Sequence, residues 1–148
     1  MEGKPHRLGV EPDRVFGLHF EGAPENRRRV FFFLEADRGT MPVRRKGLTQ
    51  TSFARKLLAY QETWRRGLHR SHLGLPNFRV LTVTTSRERV GHLVAAFRLL
   101  PDGGSRLFLF TDRESLGCGD ILGHEWVNGL EEVVQLAPLL GNAKEKIH

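Results

Sequence analysis

The chain has 148 residues, a formal net charge of +6 and a single cysteine, Cys118. That length fits one domain with its own core, and a single cysteine excludes an internal disulfide framework and fits a reducing compartment. No apolar run approaches the ~20 residues of a membrane span, and the first ten residues lack the apolar core of a signal peptide. We therefore expect a cytoplasmic protein with no membrane partner. It would be one domain over 1–148, with an irregular lead-in at 1–12 and a polar tail at 138–148.

The positive charge is concentrated in one segment. Residues 26–70 contain twelve Arg or Lys against three acids, so this segment carries +9 and the remainder −3. A basic segment in an otherwise near-neutral chain is typical of proteins that bind a polyanion. Two interpretations stay open, since the same charges could form a solvated surface. Nucleic acid is the favoured partner, and charge alone does not distinguish DNA from RNA.

The first half of the chain predicts a hairpin and a long helix. Strands are expected over 15–20 and 30–36, joined by a polar turn, with the second strand buried on both faces. A basic loop follows over 38–50, and Thr51 or Ser52 can cap a helix over 53–68. Apolar residues recur on one helix face at 53, 57, 60 and 64. We expect Tyr60 and Trp64 on that face to be core, and the alternative is that they are base-stacking platforms.

The second half alternates strands and helices. It predicts a strand over 78–85, a helix over 87–100 capped by Ser86, a strand over 106–111, one helical turn over 112–117, a short strand around Trp126 and helix-like 131–140. The main order is β-β-α-β-α-β. A hairpin followed by β-α-β units predicts the α/β class, with a mixed sheet flanked by helices.

Carboxylates mark the end of the second strand. Glu35 and Asp37 lie two residues apart, so they point to the same face, and the hairpin can bring Asp13 near them. Lys56, on the following helix, could pack close to these acids. Paired carboxylates need a neutralising partner, which could be a Mg²⁺ or Mn²⁺ ion held by the three acids. The alternative is a structural acid network paired with an arginine such as Arg38.

Metal-assisted phosphodiester hydrolysis would suit this set of residues. Carboxylates hold the cation, the cation polarises phosphate and activates water, and a lysine stabilises the developing charge. His69 and His72 have a spacing that a metal could use, but they lack the further ligands of a zinc site. We expect these two histidines to decorate a basic helix end instead, where they could meet phosphate.

Several ordered motifs resemble the replication-relaxation family of plasmid and mobile-element proteins. They are PDRVF (12–16), FFFLEADRGT (31–40), FARKLLAYQETW (53–64), FRVLTVTTS (78–86) and FLFTDRESL (108–116). The resemblance covers about residues 11–127 and implies association with DNA. Proteins of that family usually carry a winged helix-turn-helix ahead of this region. The resemblance therefore implies that a partner chain, or a segment absent here, supplies DNA binding of that kind.

The same motifs resemble the PD-(D/E)XK nuclease fold, which implies a restriction-endonuclease-like core. By that resemblance Asp13 and Glu35 would be metal ligands. Asp37 stands where a lysine is usual, and some relatives shift that lysine to the following helix, where Lys56 lies. The fold also expects a helix and a strand before the PD motif, and only about ten residues precede it here.

Three functions follow as hypotheses. The first is a DNA-associated domain with metal-dependent nicking activity, in which Asp13, Glu35, Asp37 and Lys56 are catalytic. DNA would be bound by basic side chains of the loop and the helix: Arg38, Arg44, Arg45, Lys46, Arg55, Arg65 and Arg66. The second is a non-catalytic DNA- or partner-binding accessory module in plasmid replication or mobilisation. The third is a homodimerisation domain whose basic surface is incidental.

Overall fold

The strands form one mixed sheet whose order follows the sequence. A computed structural model describes residues 12–19, 22, 28–38, 53–98, 106–117 and 119–136. Within these residues the elements are β1 (Arg14–His19), β2 (Arg29–Ala36), α1 (Phe53–Arg65), α2 (Leu68–Ser71), β3 (Arg79–Thr84), α3 (Arg87–Arg98), β4 (Phe108–Asp112), α4 (Arg113–Leu116), β5 (Trp126–Asn128) and β6 (Val133–Val134).

Three parallel strands form the centre of the sheet. β2 pairs in parallel with β3, and β3 with β4. On one side β1 pairs antiparallel with β2, which confirms the predicted hairpin. On the other side β5 and β6 add two antiparallel pairings. The predicted mixed sheet flanked by helices is therefore present, and the carboxyl ends of β2, β3 and β4 share one edge, here called the carboxyl edge.

The two long helices pack against the same face of the sheet. α1 joins β2 to β3, and α3 joins β3 to β4. Both connections cross between neighbouring parallel strands with the same handedness and progress across the sheet in the same direction, so both helices lie on the same side. One core cluster holds Leu57 of α1, Leu93 of α3 and Phe33 of β2. A second cluster covers the opposite face around Phe32, Leu81 and Trp126. As predicted, β2 is buried on both faces.

The apolar stripe of α1 is confirmed in part. Phe53, Leu57 and Tyr60 are at most 2% exposed, whereas Trp64 is 42% exposed, so its assignment to the core is wrong. The helix also ends earlier than predicted, at Arg65, because Gly67 takes a left-handed backbone with φ of 69°. Trp64 therefore lies in the last turn, where fewer neighbouring side chains cover it.

The predicted Ser86 cap is present, and Asp112 caps a second helix. The Ser86 hydroxyl accepts from the Arg89 backbone N–H at 3.1 Å and begins α3. The Asp112 carboxylate accepts from the Ser115 N–H at 3.0 Å and begins α4, the expected helical turn. Short polar side chains satisfy helix N–H groups in this way.

The helix predicted over 131–140 is wrong over residues 131–135. Val133–Val134 form β6, paired with Trp126 and Val127. β-branched valines favour strands, and β5 offers them a free edge. The predictions over 1–11, 39–52, 99–105 and 137–148, and that for Cys118, lie outside the described residues. In the part of the chain that is described, no helix is long and apolar enough to cross a bilayer.

Candidate functional site

Glu35 is fully buried between β2 and α1. Its Oε1 lies 3.1 Å from Lys56 Nζ, and its Oε2 accepts the Tyr60 hydroxyl. Lys56 and Tyr60 are four residues apart, so they share the face of α1 that packs on the sheet. The predicted approach of Lys56 to the acids is therefore confirmed. Tyr60 was expected only as core, because its hydroxyl partner is distant in sequence.

Asp37 is neutralised from α3. Its Oδ2 accepts from Arg89 Nε at 2.8 Å and from the Thr84 hydroxyl at 2.6 Å, and its Oδ1 accepts from Arg89 Nη2 at 3.3 Å. Asp37 is 6% exposed, whereas Arg38, the arginine that the sequence suggested as its partner, is exposed. Sequence analysis missed Arg89 and Thr84, because only the parallel β2–β3 pairing brings them to Asp37.

Asp13 reaches the same edge through the hairpin. Its Oδ2 accepts from the Ala36 N–H at 2.9 Å, and its own N–H donates to the Leu34 carbonyl at 3.0 Å. The three acids are thus gathered at the carboxyl edge.

Burial raises the pKa of the Tyr60 hydroxyl. The hydrogen bond to Glu35 and the negative charges of Glu35 and Asp13 raise it further.

Side-chain donors already engage the carboxylates in this arrangement. Both oxygens of Glu35 and both oxygens of Asp37 accept hydrogen bonds from side chains. Within the described residues, no three or more His, Cys, Asp or Glu side chains are grouped so that they could hold a metal ion. The acids therefore form a paired network here, and the Mg²⁺ or Mn²⁺ site stays a prediction from the sequence.

A cavity of about 300 Å³ opens beside the end of β4. Its lining includes Arg87, Thr111, Asp112, Ser115 and His124. The Thr111 hydroxyl lies 2.8 Å from His124 Nε2. Burial acts to raise the pKa of Asp112, but hydrogen bonds from Ser115 outweigh it and the net pKa is lowered. Sequence analysis treated this region only as a helical turn, since the cavity forms where the start of α3 meets β4, α4 and the segment that leads into β5.

Arginines cluster at the opposite edge of the sheet, where β2, β3 and β4 begin, here called the amino edge. Among the described residues this edge carries Arg28, Arg29, Arg65, Arg66, Arg70, Arg79, Arg98 and Arg106. The described acids beside them are Glu62, Glu131 and Glu132. Burial lowers the pKa of the Arg79 guanidinium, and the positive charge of Arg106 lowers it further. Positive charge therefore exceeds negative charge at this edge.

The predicted DNA-binding residues are divided between the two edges. Arg55 lies in the first turn of α1 and Arg65 in the last, ten residues or about 15 Å apart along the helix axis. Arg65 and Arg66 are both 60% exposed and lie at the amino edge. Arg38 is exposed at the carboxyl edge. The other predicted contacts, Arg44, Arg45 and Lys46, lie outside the described residues.

Trp64, His69 and Phe78 form an aromatic cluster beside these arginines. The rings of Trp64 and His69 stack with centroids 4.7 Å apart and an interplanar angle of 7°. His69 is 3% exposed, so the expectation that it decorates the surface is wrong, whereas His72 is exposed. Burial lowers the pKa of His69; the nearby Thr63 carbonyl opposes this shift and the charge of Arg70 adds to it.

Comparisons with protein-family models, with curated proteins and with solved structures found no match at the significance applied. Over the residues it describes, the structure establishes a mixed six-stranded sheet flanked by helices. The resemblance to the replication-relaxation family and the restriction-endonuclease-like topology therefore stay predictions from the sequence motifs.

Proposed function

We propose that this chain is a DNA-associated domain of the replication-relaxation type that binds the phosphate backbone through arginines at the amino edge of its sheet. The segregation of charge carries this proposal. Eight described arginines stand there against three glutamates, in a chain of net charge +6. Clustered guanidinium groups are the usual means by which proteins bind nucleic-acid phosphates.

Individual arginines at this edge are available to a ligand. Arg66 is 60% exposed, and its contact with Glu62 is long, at 4.0 Å. Arg70 is exposed, and within the described residues its guanidinium makes one long hydrogen bond, 3.4 Å to the Pro76 carbonyl. Such weak surface contacts cost little to exchange for phosphate contacts.

The paired state of the carboxylates favours a binding role over a catalytic one. Lys56 and Tyr60 occupy Glu35, and Arg89 and Thr84 occupy Asp37. In this arrangement the acids join α1 and α3 to the sheet. The domain would then position DNA or a partner protein, and a winged helix could be supplied by another chain.

Salt titration of DNA binding tests the proposal. We expect the affinity for a DNA oligonucleotide to fall steeply as salt rises, because each phosphate contact releases counterions. Arg66→Gln and Arg70→Gln should each reduce the steepness of log K against log salt by about 1. Fluorescence anisotropy at several salt concentrations gives these slopes.

A charge-matched control separates the amino edge from net charge. Arg113 is exposed at the carboxyl edge, so Arg113→Gln removes one positive charge from the opposite side. This variant should keep the wild-type salt slope. Equal losses in all three variants would assign binding to overall charge, and a flat salt response of the wild-type protein would refute DNA binding.

Metal-dependent nicking is a second candidate function. It is supported by the 3.1 Å contact of Lys56 with Glu35 and by Asp13 at the same edge. Incubation of supercoiled plasmid with the protein and Mg²⁺ or Mn²⁺ tests it. Glu35→Gln is the control, because an amide keeps an acceptor for Tyr60 while removing the negative charge. Nicking that this variant lacks would establish the activity, and its absence in both proteins would leave the binding role.

A further inference from the structure

We propose that Trp64 is a stacking platform for an unpaired base, so that the amino edge binds single-stranded nucleic acid. The inference rests on the proposed nucleic-acid binding and adds the class of ligand. Trp64 is 42% exposed although it belongs to the apolar stripe of α1. A large aromatic ring at the surface among arginines is the combination that single-strand binding proteins use.

The indole has two aromatic neighbours among the described residues. His69 stacks on it at 4.7 Å, while Phe78 meets both rings edge-on, at 5.4 Å from Trp64 and 5.2 Å from His69. These contacts hold the indole in place, and 42% of the Trp64 surface stays exposed to a ligand.

His69 is well suited to support the indole. It is 3% exposed. Burial lowers the pKa of the His69 imidazole and so favours its neutral form. The flat, neutral imidazole of His69 stacks on the indole of Trp64 and restricts its orientation. The indole is therefore pre-organised, and little side-chain entropy is lost when a base stacks on it.

The arginines around Trp64 supply the phosphate contacts that a strand needs. Arg65 and Arg66 follow Trp64 directly, and Arg70 lies one residue after His69 in α2. All three are exposed. A stacked base would place its own and neighbouring phosphates within reach of these flexible side chains. In a duplex, by contrast, bases are stacked inside and offer no face to Trp64.

Tryptophan fluorescence tests this arrangement directly. The chain has two tryptophans, and Trp126 is fully buried in the cluster on the opposite face of the sheet. Trp126→Phe leaves Trp64 as the only tryptophan and removes an indole N–H that has no hydrogen-bond partner in the described structure. Addition of an oligodeoxythymidine of about 12 nucleotides should quench the emission of Trp64, and a duplex of equal length should not.

Affinity measurements supply the second readout. Trp64→Ala should weaken binding of the single strand about 10-fold, since loss of one base–aromatic stack has this size. Trp64→Phe should weaken it less. Val133→Ala is the control, because Val133 is an exposed apolar residue at 62% on a distant edge strand. Thermal melting shows whether each variant, including Trp126→Phe, stays folded.

The outcomes separate the two proposals. Salt-sensitive binding without quenching, with equal affinity of Trp64→Ala, would overturn the stacking platform and leave DNA binding intact. Tighter binding of the duplex would do the same. Concentration-dependent changes of Trp64 emission without nucleic acid would overturn it in favour of self-association. Failure to bind any nucleic acid would overturn both proposals. Equal quenching by single-stranded RNA would support binding of single-stranded nucleic acid and show that the site does not distinguish ribose from deoxyribose.

Discussion

At the scale of single residues, Glu35 links the sheet to α1 through two donors. Glu35→Ala would leave the Tyr60 hydroxyl buried without its acceptor, which costs about 1–3 kcal/mol of unfolding free energy. Glu35→Gln should cost less, since its carbonyl still accepts from Tyr60. Tyr60→Phe in the Glu35→Ala background should cost less than in the wild type. Urea denaturation of the wild type, Glu35→Ala, Tyr60→Phe and the double variant gives a double-mutant cycle. Additive losses of unfolding free energy would contradict the contact between Glu35 and Tyr60.

His69 is a second residue whose burial has a measurable consequence. Burial lowers its folded pKa below 6.5, so the unfolded chain binds more protons as the pH falls through that range. The stability that comes from keeping His69 neutral is present above the unfolded pKa of 6.5 and is lost as the pH falls through the lower folded pKa. His69→Phe should keep the ring stack and reduce this loss of stability below pH 6.5. An unchanged pH dependence in urea denaturation would contradict this.

At the scale of elements, replacement by alanine is expected to change stability in opposite directions at two glycines, one between helices and one inside a helix. Gly67 separates α1 from α2 with φ of 69°, and Gly91 lies exposed inside α3. A Cβ at either position meets nothing within 4 Å. Gly67→Ala should therefore destabilise by about 1 kcal/mol through its backbone conformation alone, whereas Gly91→Ala should stabilise by about 0.5–1 kcal/mol. Thermal melting of both variants checks the two signs.

The sequence predicted most of these elements, because local patterns determine them. Short windows of sequence were enough to predict the alternation of β1, the apolar run of β2, the stripe of Phe53, Leu57 and Tyr60, and the Ser86 cap. The error at 131–140 arose where a strand forms only because β5 offers an edge, which no local pattern records. Trp64 was misassigned for a similar reason: periodicity gives its helix face but not where the covering layer ends.

At the scale of the whole molecule, the sheet separates two charged regions. Among the described residues, the paired acids gather at the carboxyl edge and eight arginines lie at the amino edge. If a nucleic acid binds the folded chain alone, ligand at 100 times its Kd should stabilise the fold by about 2.7 kcal/mol. That corresponds to roughly 5–10 °C in melting temperature for this size. At the same ligand concentration, Arg113→Gln should retain this shift in melting temperature and Arg70→Gln should reduce it. Identical shifts in the two variants would contradict a binding site at the amino edge.

The sequence by itself determined the α/β class, the hairpin, the common face of Glu35 and Asp37 and the excess of basic residues. These follow from side-chain periodicity and composition, which are local properties. Only the tertiary structure decided that Arg89 neutralises Asp37, that Tyr60 occupies Glu35 and that Trp64 remains exposed above His69. These depend on strand pairing and on where each helix ends, so residues far apart in the chain had to be placed together before their chemistry could be read.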